Sequence, residues 1–253
     1  MDVFEAIGNR RSIRYYQTWR PVEPEKIQMM LEAARRATHA ANVNATGAIV
    51  VTREEADDSL LGATMPLNVH VRLAPVLIFW YGDLAAWDLQ DQTLKQLIDV
   101  GALNPSHGWS QKVVDEAVVP LTKAMGEEAL WLMTALDAGA AIAQAQLVAT
   151  ALGLGTCLNQ WNGSPKLLGL PETCRVFWVM TVGYPAESPE AGGQRPRRPF
   201  GELFHKGKYG QPFPEDPAVV EELKRRRLLQ EPAPLPWRAK EVRALAHMFG
   251  LPE

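Results

Sequence analysis

The sequence predicts a globular protein in which helices and strands alternate, and three observations carry that prediction. Apolar residues make up 47% of the 253 residues and charged residues 22%, which is the balance of a chain that buries a substantial core. Short apolar runs of strand length recur along the chain. Between and after them lie segments whose apolar residues repeat every three or four positions, as on one face of a helix.

Each predicted strand is a short apolar run that ends at residues typical of turns. Gly82 and Asp83 follow the second run, and Pro185 follows the third. Runs of this length that are apolar throughout are typical of strands buried on both faces. The predicted strands are residues 48–52, 74–81 and 175–184.

The helices are predicted from apolar spacing and from the residues that end them. The longest is rich in alanine and apolar on most faces, which places it deep in the protein, and Gly153 and Gly155 end it. Residues 84–126 carry no assignment beyond a loop at 104–108. The predicted helices are residues 3–7, 24–37, 128–152, 218–229 and 238–249, the last two separated by prolines.

Charge and composition exclude several classes of function. The net charge of −3 gives no overall attraction to nucleic acid or to an anionic membrane, so neither is expected as a partner. The longest unbroken apolar run, residues 74–81, is far shorter than the ~20 residues of a membrane span. The first residues lack the features of a signal peptide, so a cytoplasmic location is expected. Two distant cysteines predict reduced thiols, although one bridge stays possible.

Two clusters of basic residues stand out in this slightly acidic chain. Arg10, Arg11, Ser12 and Arg14 lie near the start, and an Arg-Pro-Arg-Arg string occupies residues 195–198. Arginine binds phosphate through a planar, bidentate fork, and a serine hydroxyl adds a neutral donor. Two such clusters that converge on one phosphate would form a tight anion site. The alternative is that these arginines are solvated surface residues.

Other chemical motifs are missing from the sequence. Gly153 and Gly155 follow a helix and lack the third glycine of a dinucleotide-binding fingerprint, and no phosphate-binding P-loop is present. The five histidines have no ligand spacing, so no metal site is predicted. No serine lies in a nucleophile elbow, and nothing beside Cys157 would activate its thiol.

Taken in order, four blocks of the sequence resemble the nitroreductase family of FMN-dependent oxidoreductases. They are AIGNRRSIRYY with VEPEKIQMMLEAARRA, then ATHAANVNATGAIVV, ALGLGTCLNQWN and VGYPAESPEAGGQRPRRPFGELFH. The resemblance covers most of residues 3–205. It implies an α+β fold with a mainly antiparallel sheet wrapped by helices, and a homodimer with one FMN at each end of its interface. Residues 1–210 would form the FMN-binding domain, and residues 211–253 a C-terminal helical extension.

The resemblance also assigns cofactor-binding residues. It implies that the phosphate is bound by Arg10, Ser12, Arg195 and Arg197. Arg14 would lie over the pyrimidine edge of the flavin, where a positive charge favours the anionic reduced ring. Arg11 would contact ribityl or phosphate oxygens through its side chain or backbone.

The flavin ring would be contacted by two further segments. His39, Asn42 and Asn44 correspond to the family's Pro-Ser-x-x-Asn-x-Gln segment at the ring edge, although Thr38-His39 replaces Pro-Ser and Asn44 replaces Gln. Main-chain groups of Cys157, Leu158, Asn159 and Gln160 would pass near flavin N5. These departures leave the phosphate positions intact and change the ring edge and substrate pocket.

The resemblance implies a ping-pong reaction in which NADH or NADPH reduces FMN and the flavin then reduces a small organic acceptor such as a nitroaromatic, a quinone or an enone. No catalytic side chain is required, because the flavin supplies the reactivity. Two alternatives stay open. One is an enzyme of the same fold with a dedicated substrate, in dehalogenation, flavin fragmentation or biosynthetic dehydrogenation, and the other is a non-catalytic flavin-binding protein.

Overall fold

The computed structural model describes residues 1–64 and 68–252 as helices on both sides of one sheet. Short 3-10 turns connect several elements, and a π-helical turn joins α6 to α7. The strands are β1 (Thr46–Thr52), β2 (Val76–Asp83), β3 (Gly155–Asn159) and β4 (Cys174–Gly183). The helices are α1 (Val3–Asn9), α2 (Pro24–Arg35), α3 (Asp58–Gly62), α4 (His70–Leu73), α5 (Gln90–Asp99), α6 (Gln111–Val113), α7 (Val119–Ala124), α8 (Glu127–Ala151), α9 (Phe200–Leu203), α10 (Pro217–Arg225) and α11 (Arg238–Phe249).

The four strands form one antiparallel sheet in the order β1-β2-β4-β3. β2 and β4 are the central strands, and the pairing shifts by one residue between Trp80 and Tyr81, which marks a bulge. β1 and β3 are therefore the two edges of the sheet. Helices and an antiparallel sheet in one chain confirm the predicted α+β class.

The sheet separates two layers of the core because successive side chains of a strand point to opposite faces. One face carries Ile78 and Trp80, and α2 and α8 pack on it. The other face carries Leu77 and Phe79, and it is covered by the segment after α1 and by the turns around α3 and α4. Both layers contain side chains with no solvent exposure, so the central strands are buried on both sides.

Helix α8 is the longest element of the fold, with 25 residues. Length and composition alone would let α8 cross a bilayer, but α2 and the sheet bury one of its faces, as in the core helix of a globular protein. The opposite face is exposed and apolar, with Leu132 and Leu136 each about two-thirds accessible to solvent. α8 therefore has one face packed in the core and one that no described residue covers.

The structure confirms the predicted strands and helices and adds elements that the sequence did not indicate, among them β3, the helices of residues 84–126 and the short helices α3, α4 and α9. β3 has only five residues and contains Thr156 and Asn159, so it lacks the apolar run that marked the other strands. The segment that carried no assignment, residues 84–126, forms α5, α6 and α7 with their connecting turns. Its helices are short and mostly exposed, and their apolar spacing is correspondingly weak.

At Gly8 in α1 the backbone of the C-terminal extension lies close against the N-terminal helix. A Cβ at this position would overlap the carbonyl group of Arg227, a backbone atom that has no side-chain freedom to move away. We expect Gly8→Ala to lower the free energy of unfolding by about 1 to 3 kcal/mol, although alanine is the better helix former. Chemical denaturation with circular dichroism measures the change.

Gly62 at the end of α3 supplies the matched control. A Cβ there would meet no atom within 4 Å, so Gly62→Ala should be neutral or slightly stabilising. Equal effects of the two substitutions would show that the extension does not pack on α1 in solution.

Candidate functional site

The basic segment after α1 runs as an extended chain along the outer edge of β3. Ser12 forms a parallel bridge with Thr156, and the Ile13 amide donates to the Thr156 carbonyl at 3.0 Å. Tyr16 anchors the end of the segment, because its buried hydroxyl lies 2.7 Å from both the Ile13 carbonyl and the Thr181 hydroxyl. This pairing fixes the direction of the side chains on either side of Ser12.

The two basic clusters predicted from the sequence meet in the fold. Burial lowers the pKa of Arg10, and the positive charge of Arg197 lowers it further. Burial also lowers the pKa of Arg195, with Arg14 as the next contribution. The contribution of Arg197 to the pKa of Arg10, and that of Arg14 to the pKa of Arg195, each require a neighbouring cation. Arg10, Arg14, Arg195 and Arg197, from two segments about 180 residues apart, therefore form one arginine cluster.

The arginine cluster has no counter-ion in the described part of the chain. None of its four guanidinium groups lies within 4.0 Å of a carboxylate there. Arg14, Arg195 and Arg197 each donate to one main-chain carbonyl, which leaves most of the five donors of each guanidinium available. Like charges repel when gathered in this way, so the arrangement is suited to an anionic ligand such as a phosphate.

Arg11 behaves differently from its neighbours in sequence. Its side chain is buried and donates to the carbonyls of Gly8, Arg10 and Gly193 and to the Gln230 side chain. Most of its donors are therefore used inside the protein. We infer that Arg11 holds the segments that carry the cluster, and that any contact with a ligand at this position would come from its backbone.

The residues at the end of β3 lie beside the arginine cluster. Between Thr156 and Trp161 no other strand bridges the outer edge of β3 within the described ranges, so the main-chain groups that alternate outward in this stretch, such as those of Leu158, have no strand partner there. Burial raises the pKa of the Cys157 thiol, so Cys157 is protonated at neutral pH and is a poor nucleophile. The side chain of Leu158 packs against the core.

Asn159 and Trp161, at the end of β3 and just beyond it, have internal partners. The Asn159 amide donates to the Cys157 carbonyl, and its oxygen lies 2.6 Å from His70 Nε2. Trp161 is buried edge-on against Phe79 and donates to the Leu60 carbonyl. Gln160 between them is exposed. Only Gln160 of these three presents a free side chain to a ligand.

The predicted ring-edge residues His39, Asn42 and Asn44 lie apart from the arginine cluster, in the segment before β1. Ala41, Asn42 and Asn44 all have positive φ angles near 50°, an unusual backbone for residues other than glycine and one often found at functional sites. The buried Nδ1 of His39 has no hydrogen-bond partner in the described structure. The segment thus has the strain and the unsatisfied polar atom of a ligand-binding loop.

Sequence reasoning missed a buried carboxylate that lies behind the cluster. The side chain of Glu187 is fully buried, and it accepts hydrogen bonds from the backbone amides of Arg14 and Tyr15. Its ion-pair partner is Arg238, in α11. The sequence held no signal for this pair, because Glu187 lies in a proline- and glycine-rich stretch and its partner follows 51 residues later.

The fold and the arginine cluster define an α+β protein with a group of arginines at one edge of its sheet. The nitroreductase family model matches residues 7–184, about 70% of the chain. The chain belongs to the nitroreductase family and is an enzyme of that family.

Two curated relatives support this membership. The chain is 30% identical over 192 residues to an NADH dehydrogenase of Thermus thermophilus, covering 74% of this chain and 88% of the relative. It is 26% identical over 215 residues to an FMN reductase [NAD(P)H] of Bacillus subtilis, and the match covers 82% of this chain and 74% of the relative.

Solved structures share the fold. One is the FMN complex of a protein assigned to the nitroreductases, from Exiguobacterium sibiricum, with a TM-score of 0.66 at 23% identity and coverage of 81% of this chain and 97% of that chain. Another is an enone reductase of gut-bacterial fatty acid metabolism, with a TM-score of 0.61 at 21% identity. The match covers 74% of this chain and 90% of that chain.

Proposed function

We propose that this protein is an FMN-dependent NAD(P)H oxidoreductase that reduces a small organic acceptor. The observation that carries the proposal is the arginine cluster, in which four guanidinium groups converge without a carboxylate counter-ion in the described residues. A relative named FMN reductase [NAD(P)H] and a structural neighbour that holds FMN support the same cofactor. Nitroaromatics, quinones and enones are the acceptor classes we propose.

The residues present fit an FMN phosphate. Arg10, Arg195 and Arg197 supply charged donors, and Ser12 supplies a hydroxyl on the adjoining segment. Hydrogen bonds of this charge-assisted kind contribute about 1.5 to 3 kcal/mol each. Arg14 would place a fixed positive charge beside the flavin. When bound, FMN supplies the redox chemistry, taking electrons from the nicotinamide and passing them to the acceptor.

The chain itself provides binding and orientation in this proposal. Cys157 is protonated, and burial lowers the pKa of His70 so that its ring is neutral at pH 7. The exposed outer edge of β3 at residues 157–160 would lie along the flavin ring. No side-chain acid or base is assigned, in keeping with a reaction whose reactivity comes from the cofactor.

The positions of the two half-sites support a homodimer. Ser12 pairs with Thr156 on β3, at one edge of the sheet. From Thr156 the paired residues run across β4 and β2 to Thr52 on β1, at the opposite edge. The crossing from Ser12 to Thr52 spans four strand spacings, roughly 19 Å, and Thr46 lies a further six residues, roughly 20 Å, along β1. One flavin could not contact both the arginine cluster and residues 39–44 of the same chain. We therefore propose that residues 39–44 complete the site of a second copy.

The exposed face of α8 supports the same assembly. Leu132, Leu136, Gly139 and Ala143 are exposed and spaced as one stripe of the helix. Small residues in such a stripe let two helices approach closely. The Asp137 carboxylate, one residue from Leu136, accepts a hydrogen bond from the Ala40 amide, so residues 39–44 lie beside this stripe. A second copy that packs on α8 would meet the ring-edge segment.

Anaerobic reduction tests the proposed function. Purified protein should be yellow, should release FMN on denaturation, and should lose its flavin absorption when NADH or NADPH is added without oxygen. Colour should return on addition of a quinone, a nitroaromatic or an enone. A protein that retains FMN but is not bleached by either nicotinamide would contradict the proposed electron donor, whereas a protein without affinity for FMN would contradict the cofactor.

The thiols bear on the proposed cytoplasmic location. Cys157 and Cys174 are both unpaired and buried. Free thiols are usual in reducing compartments, so this observation supports the proposal.

A further inference from the structure

The C-terminal extension contacts residues that flank both halves of the arginine cluster. Its segment 228–235 pairs with residues 192–194, with Gln194 bonded to the Glu231 carbonyl and the Ala233 amide at 2.8 Å each. Gln230 also reaches the N-terminal half, since its side chain contacts Asn9 at 2.7 Å and Arg11 at 3.0 Å. Residues flanking Arg10 and Arg195 are therefore held in place by a part of the chain beyond the family match, which ends at residue 184.

The second contact is a network of three charges, in which Glu187 is fully buried and Arg238 and Glu241 are partly buried. One oxygen of Glu187 accepts from the Arg14 amide, and the other lies 2.6 Å from Arg238 Nη2. The other terminal nitrogen of Arg238 lies 2.6 Å from Glu241, and Glu241 in turn accepts from the Ser188 amide. The network ties α11 to the backbone at Arg14 and to the loop that leads to Arg195.

The negative charge of Glu187 lies close enough to the arginine cluster to affect it. It opposes the effects of burial, Arg14 and Arg238 on the pKa of Arg195, so its carboxylate acts directly on the arginine cluster. A buried carboxylate without a partner is strongly unfavourable. Arg195 is a cluster arginine on which the charge of Glu187 acts, so it is a cation that would take the place of Arg238.

We propose that Arg238 is a positioning residue of the cofactor site: it neutralises Glu187 and thereby leaves Arg195 free for the anionic ligand. The inference rests on the proposed function, because the ligand is taken to be the phosphate of FMN. In this arrangement the extension is part of the cofactor site, although none of its residues contacts the cofactor.

Comparison of FMN with riboflavin tests the proposal, because riboflavin lacks the phosphate. Dissociation constants for both are measured by flavin fluorescence on flavin-free protein. Wild-type protein should prefer FMN. Arg238→Gln should lower that preference about tenfold, because Glu187 then draws a cluster arginine away from the phosphate. Affinity for riboflavin should change much less.

The double variant Glu187→Gln/Arg238→Gln separates this mechanism from simple destabilisation. It removes the charge of Glu187 but keeps an oxygen that accepts from the Arg14 amide. Glu241, which loses the same partner, is partly exposed to solvent, so the FMN preference should return to within about threefold of wild type. Circular dichroism checks that each variant is folded. If Arg238→Gln does not fold, the double variant still decides, since loss of its FMN preference would overturn the proposal.

Arg225→Gln is the matched control. Arg225 lies in the same extension, is largely exposed and pairs with Glu222 on its own helix, so its substitution should leave both dissociation constants unchanged. An unaltered FMN preference in folded Arg238→Gln would overturn this inference alone. Wild-type protein that bound neither flavin would overturn the proposed function and this inference with it.

Discussion

Simultaneous replacement of Arg10 and Arg197 by alanine should give folded protein that purifies without FMN. These two arginines come from opposite halves of the cluster and have no carboxylate partner in the described structure, so their removal leaves no acid unpaired. Loss of two charge-assisted interactions, each about 1.5 to 3 kcal/mol, corresponds to roughly 10²- to 10⁴-fold weaker binding. Flavin content after purification and fluorescence titration with FMN measure the loss.

Arg198→Ala is the control for this experiment. Arg198 is adjacent to Arg197, but its side chain is exposed and pairs with Glu202 four residues later. Exposed pairs of this kind contribute little to stability, and the variant should retain FMN. A double variant that keeps full FMN content would show that the phosphate binds elsewhere.

Leu132→Glu/Leu136→Glu should convert a dimer into monomers. In a two-fold interface each residue is buried twice, and burial of a leucine side chain contributes about 1.5 to 3 kcal/mol. Four leucines therefore account for roughly 6 to 12 kcal/mol, which would weaken association by more than about 10⁴-fold. Light scattering coupled to size-exclusion chromatography gives the mass directly.

The same variant should also lose FMN if residues 39–44 of one copy complete the site of the other. This second readout separates a shared site from an assembly that merely brings two complete sites together. Val100→Glu is the control, because Val100 is even more exposed than either leucine but lies at the end of α5. A wild-type protein that runs as a monomer with bound FMN would contradict both the dimer and the shared site.

Sequence reasoning succeeded where a local signal determines structure. Helical spacing after Pro24 and the apolar runs of β2 and β4 each result from burial of one segment against the core. The same reasoning missed β3. This strand has only five residues, some of them polar, and so short a segment shows no hydrophobic periodicity that would distinguish a strand from a loop. It also left residues 84–126 unassigned, since short exposed helices bury too little apolar surface to show a period.

The candidate site was predictable in part. Arginine at positions 10, 14, 195 and 197 pointed to an anion, and the fold brings the four together. Arg11 could not be told apart from its neighbours in the sequence, because whether its donors face a ligand or carbonyl groups depends on Gly193 and Gln230, which follow about 180 and 220 residues later. The sequence likewise gave no sign that Glu187 and Arg238 form an ion pair, because they lie far apart along the chain.

The sequence by itself determined the class of fold and pointed to the arginines of the proposed anion site, because composition, period and residue chemistry are local properties. Only the tertiary structure decided which arginine is internal, where the ring-edge segment lies, and that Arg238 neutralises the carboxylate behind the cluster. Those outcomes depend on long-range contacts. A side chain with five donors is chemically the same wherever it stands, and its partners are set by the segments that the fold packs around it.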